Sequence, residues 1–154
     1  MASWSNFEHE NPEFAQRVQS LFDAHRHKIM ATIRRDGSPR TSGIEVSFID
    51  GQMIVGMSAG SMKSRDVARD NRVCIHSASD DPPDAPANWP GDARIAGRVF
   101  KMPDSDDPDR PIEDSTRYRV DIDEAVLNKI GEPADHLSIE SWHAGRGYRR
   151  RRMD

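Results

Sequence analysis

The spacing of apolar residues along the chain changes period several times, and each change marks an element. Asn11-Pro12-Glu13 reads as a helix start, with a capping side chain, a proline at the first helical position and an acid favoured by the dipole. Phe14, Val18, Leu21 and Phe22 follow at i, i+4, i+7 and i+8, one apolar face of a helix running to about Arg26 and covering the end of a sheet. From Lys28 the period becomes two. Ile29, Ala31 and Ile33 alternate with Met30, Thr32 and Arg34 up to the Asp36-Gly37 turn. Thr41 to Ile49 sets Ile44, Val46 and Phe48 on one face, Asp50-Gly51 is a hairpin turn, and Gln52 to Ser58 returns.

A polar stretch from Ala59 to Asn71 reads as a short inserted helix with Val67 and Ala68 inward. Arg72 to Ala78 is a β-branched strand, Asp80 to Asp92 a Pro/Asp/Gly loop, and Ala93 to Met102 a strand whose Gly97 suggests a bulge or a close approach by a ligand. Pro103 to Pro111 reads as a second, acidic loop. Arg117 to Ile130 begins as an alternating strand, with a helical turn competing at Asp123 to Lys129, and His136 to Trp142 is the last strand. The pattern predicts a mostly β fold, a six- to seven-stranded antiparallel barrel with an N-terminal helix and a short inserted helix. One domain is expected over residues 1–154, with 1–10 and 146–154 as flexible tails.

Composition narrows the class. Hydrophobic residues make up 35% of the chain and charged residues 31%, so the core is small. No run approaches the ~18 apolar residues of a membrane helix, and no basic segment followed by an apolar stretch opens the chain, so a cytoplasmic protein off the membrane is expected. The single cysteine, Cys74, excludes an intrachain disulfide and reads as a small buried hydrophobe. Cys74 and His76 share a strand face without a third ligand, so no metal site is expected. Net charge is −4, and residues 80–114 carry ten acids against four bases. That balance argues against nucleic acid as a partner, even though Arg146 and Arg149 to Arg152 form a basic patch.

Gly60-Ser61-Met62-Lys63 carries the clearest candidate chemistry. With Ser61 as the cap, the free N–H groups of the first turn and the Lys63 ammonium form an anion site; the plainer alternative is a capped helix with a solvated lysine. The order "ATIRRDGSPRTSGIEVSFIDGQMIVGMSAGSMKSRDVARDNRVCI", then "ARIAGRV", then "HLSIESWHAGRGYRRRR", resembles the FMN-binding split β-barrel family, which includes pyridoxamine 5′-phosphate oxidase and the deazaflavin (F420)-dependent reductases. The resemblance spans roughly residues 25–152. It implies a split barrel and an FMN cofactor, with F420 as the alternative, lying at the interface of a homodimer and passing hydride to a small conjugated or aromatic substrate.

By position the resemblance assigns cofactor contacts to Ser42, Ser47, Met57, Ser58, Ser61, Met62 and Lys63. It adds Trp142 and Arg146 from the end of the chain, the tryptophan reaching the partner's cofactor. The chain departs from the oxidase pattern where Met62 replaces an arginine, where Ser47 replaces a substrate-contacting lysine, and in its shorter loop before Arg117, which favours the reductase branch. A non-catalytic flavin- or haem-binding carrier or sensor is the alternative function, since it needs the same pocket. No catalytic side chain is assigned, because hydride transfer on a flavin requires no protein nucleophile.

Overall fold

The structure, a computed structural model, describes residues 1–104 and 115–154. Elements follow in the order α1 (Trp4–Glu10), α2 (Pro12–Asp23), β1 (Lys28–Ile33), β2 (Pro39–Ile44), β3 (Val46–Ile49), β4 (Gln52–Ser58), α3 (Met62–Arg69), β5 (Arg72–His76), β6 (Asp92–Lys101), β7 (Ser115–Ile130), β8 (Leu137–His143) and β9 (Gly147–Met153). All strands join one antiparallel sheet with the path β2-β1-β5-β6-β7-β4-β3, extended by β8 on β7 and β9 on β8.

The split arises in β7. Along one edge β7 pairs with β6; along the other its first residues, Ser115 to Val120, pair with β4, and Glu124 to Ile130 pair with β8. The expected helical turn at Asp123 to Lys129 is therefore strand, because partners on both edges override a weak local preference. At the changeover the β6–β7 register shifts between Ala96 and Gly97: Ala96 faces Glu124 and Gly97 faces Ile122, so the extra residue of the bulge is Asp123 of β7, opposite the glycine rather than on its strand. A Cβ on Gly97 would lie 1.9 Å from the Asp121 carbonyl oxygen, so only glycine fits.

The inward face of the sheet is covered by α1 and α2. Asn11 caps α2 through its side chain on the Phe14 N–H, and Phe14, Val18, Leu21 and Phe22 are buried as their spacing predicted. The helix ends at Asp23, three residues before the expected limit. These side chains meet Met30, Met53, Val55, Ile75, Ile95, Val120 and Ile122 in a single core. The Asp50-Gly51 hairpin is confirmed, both residues having positive φ of 51° and 72°.

Four expectations are corrected. Residues 1–10 are not a tail: Ser3 caps α1, and Trp4 and Phe7 are buried among aromatic neighbours. The stretch 146–154 is not a tail either, since β9 pairs with β8 along its length. Thr41 to Ile49 is two strands, broken at Glu45, where the chain passes from one end of the sheet path to the other. In α3, Val67 is buried as expected, but Ala68 is exposed and Ser64 and Asp66 are buried instead. The acidic loop expected at Pro103 to Pro111 lies, from residue 105 on, outside the described residues.

Two buried carboxylates fasten the outer elements. Asp66, 2% exposed, accepts hydrogen bonds from Thr32 Oγ1 and Arg40 Nε at 2.7 Å and from Arg69 Nη2 at 3.2 Å, which ties α3 to β1 and β2. Burial pushes the Asp66 carboxyl up, but these three donors outweigh it and hold the group below the usual carboxylate range. Glu140 accepts both Arg17 Nη atoms at 2.6 Å and the Tyr148 hydroxyl, joining α2, β8 and β9.

Replacing Asp66 leaves the buried Thr32 hydroxyl and the part-buried Arg40 guanidinium without their acceptor, and replacing Glu140 does the same to Arg17 and Tyr148. Asp66→Ala is expected to cost about 3–5 kcal/mol, and Glu140→Ala about 3 kcal/mol because Arg17 keeps some water contact, both read from urea unfolding. The Asp66 contribution is present above the ordinary carboxylate pKa and lost as pH falls through its lowered value. Wild-type stability therefore declines on acidification below about pH 4, and Asp66→Ala removes that share of the slope.

Candidate functional site

Because β2 and β3 are the two ends of the hydrogen-bonded path, the barrel is left open between them. A cleft of about 560 Å³ occupies this seam. Its floor is the outward face of β3, β4 and β7. Ile54, Gly56 and Ser58 alternate along β4, Ser47 and Ile49 come from β3, and Ser115 and Arg117 come from β7, directly across from Ser58 and Gly56. The wall is Gly43 and Ile44 of β2, Glu45, and the start of α3 with Ser61 and Lys63.

The period of two decides which residues face the cleft. Ser58 lies in it while Met57, next in sequence, is buried in the core with Met53 and Val55. Ser61 caps α3 as predicted, its hydroxyl oxygen accepting from the Ser64 N–H at 3.2 Å and donating to the Ser58 carbonyl at 2.8 Å. This second bond ties the helix start to the end of β4. The Lys63 ammonium donates to the Gly43 carbonyl oxygen across the cleft wall.

Of the nine residues assigned from the sequence, the structure brings Ser47, Ser58, Ser61 and Lys63 together around this cleft. The other five are placed elsewhere. Ser42 lies on the β2 face shared with Arg40 and Ile44, its hydroxyl buried without a partner. Met57 is core. Met62, 50% exposed, lies with Arg65 and Arg69 in a different cleft. Trp142 is 1% exposed, packs on Phe7 at 4.7 Å between ring centroids, and donates from Nε1 to Glu10 at 2.9 Å. It is a core tryptophan held by α1 and does not line the cleft of its own chain. Arg146 sits exposed in the β8–β9 turn and does not line the cleft.

Sequence reasoning gave no cleft role to His27, Ile49, Ile54, Gly56, Ser115 and Arg117, and of the stretch from Ser42 to Ser47, which contains Gly43, it named only the two ends. Two of these carry a signal in the sequence itself. A glycine within a strand often marks a close backbone approach, and both Gly43 and Gly56 lie in strands. A Cβ built on Gly43 meets nothing within 4 Å, and one on Gly56 meets only Ser115 Oγ at 3.8 Å. Neither glycine is needed for packing. Both leave open space that a side chain would fill, as a flat ligand laid against the strands requires. Floor, hydroxyls, helix start and lysine together fit a planar ring with an attached phosphate group.

Among the described residues, no group of three or more His, Cys, Asp or Glu side chains could hold a metal ion. Cys74 is half-buried, and burial raises its thiol pKa. No described helix is long and apolar enough to cross a membrane.

No family model matches the chain, and no curated protein matches it in sequence. Solved structures do match. A pyridoxamine 5′-phosphate oxidase-related, FMN-binding protein from Nostoc punctiforme superposes with a TM-score of 0.66 at 12% identity, over 94% of this chain and 96% of that one. PhzG from Burkholderia lata, solved with tetrahydrophenazine-1-carboxylic acid, gives 0.65 at 13% identity over 96% of both chains. An F420 reductase gives 0.51 at 17% identity, over 68% of this chain and 92% of that one. With its split sheet and seam cleft, the chain has the fold of the pyridoxamine 5′-phosphate oxidase-like, FMN-binding proteins.

Proposed function

We propose that the seam cleft holds FMN, with F420 as the alternative, and that the protein is an oxidoreductase acting on a small conjugated or aromatic substrate. The observation that carries this reading is the glycine-floored cleft set against the capped start of α3 and Lys63. FMN-binding proteins and an F420 reductase among the structural neighbours support the cofactor class. When bound, the cofactor supplies the hydride chemistry. The chain supplies position: Gly43 and Gly56 admit the ring, the first-turn N–H groups of α3 receive the phosphate, and Lys63 moves from the Gly43 carbonyl to pair with it. The hydroxyls of Ser47, Ser58 and Ser115 offer donors and acceptors to the ring edge.

The cleft is built on an outward sheet face, and Ile49 on its floor is 44% exposed, as is Ile29 of β1 at 51%. A second copy of the chain covering this face completes the site and excludes water, so we infer a homodimer with the cofactor between subunits.

Lys63→Ala is expected to weaken FMN by about 10- to 150-fold, the worth of a charge-assisted contact of roughly 1.5–3 kcal/mol. Gly56→Val is expected to abolish binding while the circular-dichroism spectrum and urea midpoint stay near wild type, since the new side chain enters open space. Unchanged dissociation constants for both FMN and F420 in both variants would remove the site. A bound cofactor that NAD(P)H or a reductant cannot cycle against any acceptor would instead favour the carrier or sensor. Light scattering at micromolar concentration is expected to give twice the 17.4 kDa protomer mass, and a monomer across that range would contradict the shared site.

A further inference from the structure

A second cleft, also of about 560 Å³, shares α3 and β2 with the first but none of its lining residues. Five arginines face it: Arg34 and Arg35 from the β1–β2 turn, Arg40 from β2, and Arg65 and Arg69 from α3. Only two carboxylates join them, and both are engaged. Asp66 binds Thr32, Arg40 and Arg69 at the floor, and Asp36 accepts from the Ser38 N–H and hydroxyl within its own turn. Among the described residues, no carboxylate lies within ion-pair distance of Arg34, Arg35 or Arg65. A chain with net charge −4 thus gathers unneutralised arginines on facing walls of one concavity.

Such a cluster is self-repelling unless an anion enters, and part of it is already organised for one. Asp66 fixes Arg40 through Nε alone, so both Nη groups of Arg40 remain available as a fork for an oxyanion. Arg65 and Arg69 lie one helical turn apart on the face that also carries Met62. The half-exposed Met62 thioether is the apolar contact in this otherwise charged cleft, which suits a ligand with a carbon body as well as anionic groups. The negative charge of the whole molecule disfavours an extended polyanion, which would reach beyond the cluster, while a compact one meets only the arginines.

We propose that this cleft is a second binding site, for a compact organic di- or triphosphate of the nucleoside diphosphate class. It uses residues outside the flavin cleft and does not depend on the flavin reading. The test is calorimetric titration of the full chain at low salt with ADP, AMP, adenosine, pyrophosphate and a short single-stranded oligothymidylate. ADP is expected to bind about tenfold more tightly than AMP, and more tightly than pyrophosphate, with adenosine silent and affinity falling as salt rises.

The exposed double variant Arg35→Gln/Arg65→Gln is expected to lose at least about tenfold in ADP affinity with unchanged FMN affinity and urea midpoint. Lys63→Ala is expected to leave ADP affinity intact. Absence of ADP binding to the wild type would overturn the proposal. So would ADP binding that survives the arginine variant but not Lys63→Ala, because the nucleotide would then occupy the first cleft. Pyrophosphate equal to ADP would remove the organic ligand, and tighter binding of the oligothymidylate would replace it with a nucleic acid.

Discussion

Everything proposed for this molecule depends on how α3 is held, and the buried centre of that hold is one carboxylate. A helix of eight residues is too short to be stable alone, and the apolar contribution of α3 is little more than Val67. Asp66 replaces a hydrophobic anchor with three hydrogen bonds to Thr32, Arg40 and Arg69. Buried charge is costly unless paired, so the arrangement works only with all partners present. Its consequence is positional. The helix start is delivered to the seam with Ser61 and Lys63, and one helix face is delivered to the arginine cleft with Arg65 and Arg69.

The second constraint is topological. A strand that changes partners midway, as β7 does between β4 and β8, cannot belong to a simple closed barrel. The sheet path ends in β2 on one side and β3 on the other, and the chain joins them at Glu45 without closing the hydrogen-bond ladder. Strand faces along the seam are left uncovered by helices, because α1 and α2 are occupied on the inner side. A cleft with a polar rim and glycine openings in its floor and wall is what remains, and it lies where the α3 N-terminus points.

Features encoded by neighbours along the chain are legible in the sequence alone. The cap and stripe of α2, the Asp50-Gly51 hairpin and the Ser61 cap are each set by two to twelve adjacent residues, and each is found. Features set by distant partners are not. Trp4 and Phe7 give α1 a single turn of pattern, and their burial depends on Phe14, Phe48 and Trp142. Gly147 to Met153 reads as a charged tail until Glu140 supplies a partner for Tyr148 and β8 supplies a ladder. Position alone draws Trp142 toward the cofactor, whereas Glu10, more than a hundred residues away in sequence, holds it in the core. In the candidate site, Ser61 and Lys63, read from local helix chemistry, are in the cleft, whereas the residues assigned by analogy of position divide: Ser47 and Ser58 line it, and Ser42, Met57, Trp142 and Arg146 do not.

The most direct measurement is a crystal structure of the protein grown with FMN. The account predicts the ring lying over Gly56 and beside Gly43 in the seam, the phosphate at the first turn of α3 with Lys63 turned from the Gly43 carbonyl toward it, and a second subunit closing the open side. A ring bound anywhere else, or a phosphate placed away from Ser61 and Lys63, would contradict it.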